Sequence, residues 1–230
     1  MTQSQLPRHI AFIPDGNRRW AKARGLPFYR GHEAGVATFE KIGGHCLNLG
    51  IPYLTFWGFS TENWKRSQTE IKFLFRLMKK TFAERLEPFK HKKVRINILG
   101  RLKEFPNDLQ KIFQETMDAT RGNKRSVLNL CFNYGGRTEI IDMVRSIIGE
   151  RLAPQTVTER TVADHLYTAD QPDLDLIIRT SGEQRLSGLM PWQSEYAELI
   201  FVPKLWPDFT PRDLDFALTE FGRRQRRFGH

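Results

Sequence analysis

His9–Arg24 reads HIAFIPDGNRRWAKAR, and this stretch sets how the rest of the chain is read. An apolar run from Ile10 to Ile13 stops at Pro14, and Asp15, Gly16, Asn17, Arg18, Arg19 and Trp20 follow. A short apolar run closed by proline predicts a buried strand. Whatever follows it then lies at the strand's carboxyl end, where open α/β sheets place their ligands. Gly16 and Asn17 predict a flexible turn whose backbone N–H groups approach a ligand closely, and Arg18 and Arg19 add positive charge. Asp15 puts a carboxylate beside that anion cradle. Magnesium takes oxygen ligands, commonly one or two carboxylates together with substrate phosphates, so the segment is a candidate diphosphate site. An Asp-Gly pair after a strand is also an ordinary turn, so the chemistry needs support from elsewhere in the chain.

Two later segments repeat the pattern. Gly58–Arg66, GFSTENWKR, follows the β-rich run Tyr53–Phe59, and Arg179–Glu198, RTSGEQRLSGLMPWQSEYAE, follows Leu174–Ile178. Each sets arginine, small or hydroxyl residues and a carboxylate at a candidate strand end. Strands are predicted at Arg8–Ile13, Tyr53–Phe59, Val94–Leu99, Val127–Asn133, Leu174–Ile178 and Glu198–Val202. Helical patterns lie between them at His32–Leu49, Gln68–Phe89, Pro106–Thr120, Thr138–Gly149 and Thr158–Tyr167, with a last helix from Pro211 to about Arg227. Alternating elements with continuously apolar strands predict an α/β fold, a largely parallel central sheet covered by helices. Without a linker, repeat or low-complexity segment, residues 1–230 read as a single domain. In Gln68–Phe89, Ile71, Leu74, Phe75, Met78, Phe82 and Leu86 recur at helical spacing and form one apolar face.

The chain has 230 residues, enough for one sizeable core, with 40% hydrophobic and 27% charged residues. No apolar run reaches membrane-spanning length, and MTQSQLPRH lacks the layout of a signal peptide, which predicts a cytoplasmic protein. Cys46 and Cys131 stand alone in apolar surroundings and predict buried thiols. The net charge of +10 is dispersed, densest at Lys79–Lys80, Lys90–Lys93 and Arg223–Arg227. It is assigned to solvated faces, to anionic substrates and to weak attraction toward a membrane surface, without a nucleic-acid partner.

Together the blocks DGNRRW, FSTENW and IRTSGEQRLS…YAEL, the turn NYGGR at Asn133–Arg137, LWPDF at Leu205–Phe209 and the terminal RRQRRFG resemble the cis-prenyltransferase family, from about His9 to Phe228. The resemblance implies an apolar tunnel between sheet and helices, a homodimer, and elongation of an allylic diphosphate, such as farnesyl diphosphate, by isopentenyl diphosphate to a Z-polyprenyl diphosphate of carrier-lipid type. It implies Mg²⁺ held by Asp15 and Glu198. Gly16, Asn17, Arg18, Arg19 and Trp20 match the allylic diphosphate loop, and His32 matches a residue near the leaving diphosphate. Ser60, Thr61, Glu62, Asn63, Trp64 and Arg66 come from the second block, with Asn63 the proposed proton acceptor; asparagine is a feeble base, so positioning is the physical reading. Arg179, Arg185, Leu186 and Ser187 match the homoallylic diphosphate pocket, where planar guanidinium forks suit phosphate.

The rival classes fare worse on the same residues. GFSTE lacks the second glycine of a nucleophile elbow, no P-loop or GxGxxG follows a strand, and Asp170-Gln-Pro-Asp173 is not an aspartate-rich prenyltransferase motif. A non-catalytic partner subunit of the same family is the alternative, but Asp15, Asn63, Arg179, Arg185, Ser187 and Glu198 are all kept. Phe28 stands where the family has an arginine four residues before His32, and Arg30 is the expected substitute. SGLMPW replaces the family's SNFLLW after Arg185–Leu186.

Overall fold

A computed structural model describes residues 6–224, and the side chains of residues 85–90 are not among those described. Among the described residues six strands form one sheet in the order β3-β4-β2-β1-β5-β6, and all five pairings are parallel. They are β1 His9–Ile13, β2 Tyr53–Ser60, β3 Val94–Leu99, β4 Ser126–Tyr134, β5 Leu176–Arg179 and β6 Glu198–Phe201. The helices are α1 Asn17–Ala23, α2 Phe28–Asn48, α3 Gln68–Lys92, α4 Asn107–Thr120, α5 Gly136–Gly149, α6 Glu159–His165 and α7 Pro211–Arg223. The sequence expectation holds for every strand, and for six helices with shifted ends.

Both faces of the sheet are covered, so β1 and β5 are buried at every residue, as continuous apolar runs require. Alternate side chains feed two cores. Ile10, Phe12, Leu54 and Phe56 join Ile42, Leu74, Met78, Phe113 and Leu218, brought by α2, α3, α4 and α7. Ala11, Ile13, Cys131, Tyr134 and Ile177 face the other way, toward Leu189 and Met190. The connections run to opposite sides of the sheet from its middle: β1 leads to β2 on one flank, β5 to β6 on the other. The crevice at the carboxyl ends of β1 and β5 is therefore the topological switch point, the place where such a sheet leaves room for a ligand.

Two local readings change. Asn17 to Ala23 is a helix rather than a flexible turn, entered through Gly16 at φ 110°, a conformation glycine reaches without a Cβ clash. The second helix begins at Phe28, after Pro27 in extended conformation, so His32 lies a full turn inside it and not at its positive end. Residues 225–230, including most of the basic RRQRRFG tail, lie outside the described residues.

Candidate active site

Asp15 follows β1 by two residues, and Arg179 closes β5 opposite Ile13. This register brings Arg179 Nη2 to 3.0 Å from Asp15 Oδ2. Arg179 is 4% exposed, and its Nη1 donates to the Arg185 carbonyl at 2.5 Å and to Ser187 Oγ at 2.8 Å. Its Nε is buried with no hydrogen-bond partner. Arg19, the third residue of α1, reaches Asp15 Oδ1 at 3.3 Å and Glu183 Oε1 at 3.1 Å. Arg185 pairs with Glu183 at 2.6 Å. Burial works to raise the Asp15 carboxyl, but the Arg179 hydrogen bond and the charges of Arg19 and Arg179 outweigh it, so it is held below the ordinary range and stays ionised.

A second polar group stands across the opening. Glu70, 4% exposed, accepts from Arg66 Nη1 at 2.9 Å and faces His32 Nε2 at 3.2 Å and Arg18 Nη1 at 3.8 Å. Burial first, then the Arg66 charge, lower the His32 pKa despite the opposing carboxylate. The neutral ring thus donates its Nε2–H to Glu70. Asn17 Oδ1 is buried and unpartnered, held over Gly35 of α2. Across the two groups, Arg18, Arg19, Arg66, Arg179 and Arg185 outnumber Asp15, Glu70 and Glu183. Each arginine already has a protein carboxylate as partner, and the surplus charge suits a polyanion.

Between these groups opens a cavity of about 560 Å³ on the α2–α3 side of the sheet. Asp15, Asn17, His32, Ser60, Glu62, Asn63, Arg66, Arg179 and Ser187 line its polar part. Its remainder is apolar, with Phe39, Phe56, Leu74, Met78, Phe82 and Phe132 on the walls. Asn63 is presented by a tight turn in which its Oδ1 accepts the Ser60 N–H at 3.2 Å. That oxygen is in use, which favours a positioning role over proton acceptance.

Other expected site residues have structural duties. Trp20 donates to Asp208 Oδ1 at 2.7 Å under the Arg24 guanidinium, and Trp64 donates to Asn133 Oδ1 at 2.7 Å among Phe59, Phe75 and Phe105. Thr61 lies against Gly135, Gly16 against Leu205, and Leu186 packs on the second core. Glu198 opens β6 beside Leu176 and accepts from Arg224 at 2.8 Å, at the end of the sheet away from Asp15. The fold therefore does not bring Asp15 and Glu198 of one chain together. Among the described residues no cluster of three or more His, Cys, Asp or Glu side chains has metal-binding geometry. Arg30 does not replace the arginine absent at Phe28: it is exposed and paired with Glu33 at 3.1 Å, while Phe28 packs edge-on against His32 and Phe73. The cations beside His32 are Arg66 and Arg18.

Sequence reading passed over Glu70 and Glu183. Ser67-x-x-Glu70 reads as a helix-start box, and the Glu70 N–H does bond Ser67 Oγ at 3.3 Å. The usable signal was Arg66 four residues earlier, the spacing of a helical ion pair.

A family model described as "Putative undecaprenyl diphosphate synthase" matches residues 13–229. The chain belongs to this family. An isoprenyl transferase of Thermotoga maritima is 46% identical over 98% of this chain and 97% of its own length. A trans,polycis-polyprenyl diphosphate synthase of Thermobifida fusca, described as (2Z,6E)-farnesyl diphosphate specific, is 44% identical over 97% of this chain and 81% of its own. The crystal structure of lavandulyl diphosphate synthase from Lavandula x intermedia, in complex with dimethylallyl diphosphate, superimposes with a TM-score of 0.94. It is 34% identical and covers 99% of this chain and 100% of that one. As a member of the undecaprenyl diphosphate synthase family the chain is a prenyl transferase, and no described helix is long and apolar enough to cross a membrane.

Proposed function

We propose that this transferase condenses isopentenyl diphosphate with an allylic diphosphate to give a Z-prenyl diphosphate. The observation that carries this reading is the Asp15–Arg179 pair at the switch point, opening directly into an apolar-walled cavity. In the reaction the allylic C1–O bond breaks and its electron pair leaves with diphosphate. The isopentenyl double bond then forms a bond to C1, and a proton lost from C2 restores the alkene with Z geometry. Arg19, Arg66 and Arg179 are placed to stabilise the negative charge of the departing diphosphate, and His32 holds Glu70, which in turn positions Arg66. Asn63 and Ser60 orient the second substrate at the cavity wall, which excludes water from the allylic cation.

Asp15 suits Mg²⁺: it is an ionised, half-buried carboxylate beside an anion site, and magnesium needs few protein ligands when substrate phosphates complete its shell. Bound there with diphosphate, the ion would supply Lewis-acid stabilisation of the leaving group. Asp15→Ala should lower turnover by about 10³-fold, the loss expected for a main electrostatic stabiliser. Incorporation of radiolabelled isopentenyl diphosphate measures it; near-normal turnover in that variant, or in EDTA, would remove the assignment. Farnesyl diphosphate as primer, a homodimer and contact with a membrane through the product belong to the same proposal. A comparison of primers, sedimentation at micromolar concentration and vesicle flotation test them in turn.

A further inference from the structure

Positive charge gathers at one corner of the sheet, away from the arginines of the site. Two segments meet at the amino ends of β3 and β4, HKKVR at 91–95 and RGNKR at 121–125, and neither contains an acidic residue. The Arg125 N–H donates to the Lys93 carbonyl at 2.9 Å and Asn123 Nδ2 to the Val94 carbonyl at 2.8 Å, so the two lie side by side. Lys92, Lys93, Arg95, Arg121, Lys124 and Arg125 are all exposed. Asp118 answers Arg121 at 2.5 Å, and Arg125 Nη2 donates to the Leu47 carbonyl at 3.1 Å. Lys92, Lys93, Arg95 and Lys124 form no ion pair among the described residues. Asp175, just before β5, and Glu198, opening β6, lie at the same end but on the other half of the sheet. From β4 to β5 is three strand spacings, about 14 Å. The Debye length at physiological salt is about 8 Å, so those carboxylates leave the β3–β4 corner positive.

The direction of the apolar cavity is the second observation. Helix α3 follows the carboxyl end of β2 and ends at Lys92, just before β3, so it runs toward the amino end of the sheet. Along it the cavity lining passes from Arg66, just before the helix, through Leu74 and Met78 to Phe82. A substrate whose diphosphate sits at Asp15 and Arg179 therefore directs its hydrocarbon toward the end that carries the cations. Hydrocarbon aimed at one end of the molecule, with unpaired cations displayed there, suits a phospholipid surface: acyl chains for the one, headgroup phosphates for the other. A folded nucleic acid would use the cations but not the direction of the cavity.

We infer that the β3–β4 corner, with Lys93, Arg95 and Lys124 at its centre, docks on bilayer surfaces that carry anionic phospholipids. The inference rests on the condensation reading for the choice of a bilayer as partner, and adds the surface that meets it. The contact is electrostatic and reversible, because no described helix is long and apolar enough to enter the bilayer. Each basic residue close to an anionic membrane is worth about fivefold in binding, so three together give about 100-fold. Exposed side chains without fixed partners suit a fluid array of headgroups, whereas one tightly held phosphate calls for a preorganised fork of the kind Arg179 provides.

The test floats the whole protein, without substrate, on vesicles of phosphatidylcholine alone or mixed with phosphatidylglycerol. The wild type should float with the mixed vesicles at low salt. It should stay behind with phosphatidylcholine, and at about 0.5 M salt, where the Debye length falls to about 4 Å. Lys93→Gln, Arg95→Gln and Lys124→Gln in one chain should weaken binding about 100-fold. Lys22→Gln, Lys103→Gln and Arg145→Gln remove the same charge from other exposed positions and should leave binding within about fivefold of the wild type. Circular dichroism melts establish which variants fold; if the first triple variant does not, Arg95→Glu alone carries the same direction. Both triple variants should incorporate radiolabelled isopentenyl diphosphate normally when vesicles are absent. A wild type that does not float, or an equal loss in the two triple variants, would overturn the docking surface. So would a DNA duplex that binds more tightly at the same salt and strips the protein from the vesicles, since the partner would then be nucleic acid. Wild-type protein that incorporates nothing would remove the condensation reading, and flotation without substrate would still decide the surface.

Discussion

Glu70 is a buried anion that gathers Arg66, His32 and Arg18 from three different elements. Without substrate it occupies the partners that a diphosphate would take. Glu70→Gln keeps the shape but removes the charge, so the hydrogen bonds to it weaken by about 1.5–3 kcal/mol in total stability, read by urea unfolding. Misplacing Arg66 and His32 by even 1 Å should lower kcat about 100-fold, a larger change than in KM. Arg30→Ala is the contrasting case. An exposed ion pair contributes about 0.2–1 kcal/mol to stability, and kcat/KM should stay within about twofold in steady-state assays. A third residue carries a pH effect. His9 is fully buried, its Nδ1–H donates to the Pro172 carbonyl at 2.8 Å, and its Nε2 accepts from Thr55 at 2.8 Å. Burial lowers its pKa to about 4. The unfolded chain therefore binds a proton that the fold refuses, so this part of the stability is complete above about pH 6.5 and is lost as pH falls toward 4. The loss is on the order of 3 kcal/mol. Urea midpoints at pH 7 and pH 4.5 should show it, and His9→Gln should flatten the slope.

At the scale of elements, α1 is the clearest case of a helix made by its neighbours. Seven residues are too few to be helical alone, and Gly16 just before them reads as a turn. The helix exists because α2 offers a glycine seat. A Cβ at Gly31 would stand 2.0 Å from the Asn17 carbonyl oxygen, and one at Gly35 would stand 2.4 Å from Asn17 Oδ1. Their four-residue spacing puts both glycines on one face of α2 and lets Asn17 lie against it, with its carboxamide at the cavity. Gly35→Ala should therefore push the Asn17 side chain away. Overpacking of this kind costs about 1–3 kcal/mol, and the matching signature is a rise in KM for the allylic diphosphate larger than any fall in melting temperature predicts. Asn17→Gly in the same chain should recover the melting temperature but leave KM raised, which separates the space the two groups share from the contact Asn17 makes. Helix α3 shows the opposite balance: its apolar spacing is plain in the sequence, and Ile71, Leu74, Met78 and Phe82 are buried as that spacing requires.

Across the whole molecule, function follows from strand order. Putting β5 beside β1 carries Arg179 to Asp15 across 164 residues of sequence, and the same order puts Glu198 at the far end of β6. Much of this chain's identity was legible without coordinates. Short apolar runs closed by Pro14, by the Ser60–Arg66 turn and by Arg179 specify parallel strands with polar carboxyl ends, because burial on both faces leaves nowhere else for charge. Those same residues carry the family resemblance, and the matched family bears it out. Local sequence could not show which helix face meets which strand. Trp20 and Trp64 look like site residues because they sit inside site motifs, yet they hold neighbouring turns. Glu70 looks like a helix start and is the anion beside His32. Phe132 reads as one more apolar residue of β4, and only the tertiary structure sets it against Phe82 and Phe113 at the cavity. Periodicity and turn chemistry are properties of neighbours along the chain, so they determine the elements and their polar ends. Cavity depth, ion-pair partners and the reach of Glu198 depend on residues far apart in sequence, and packing alone decides them.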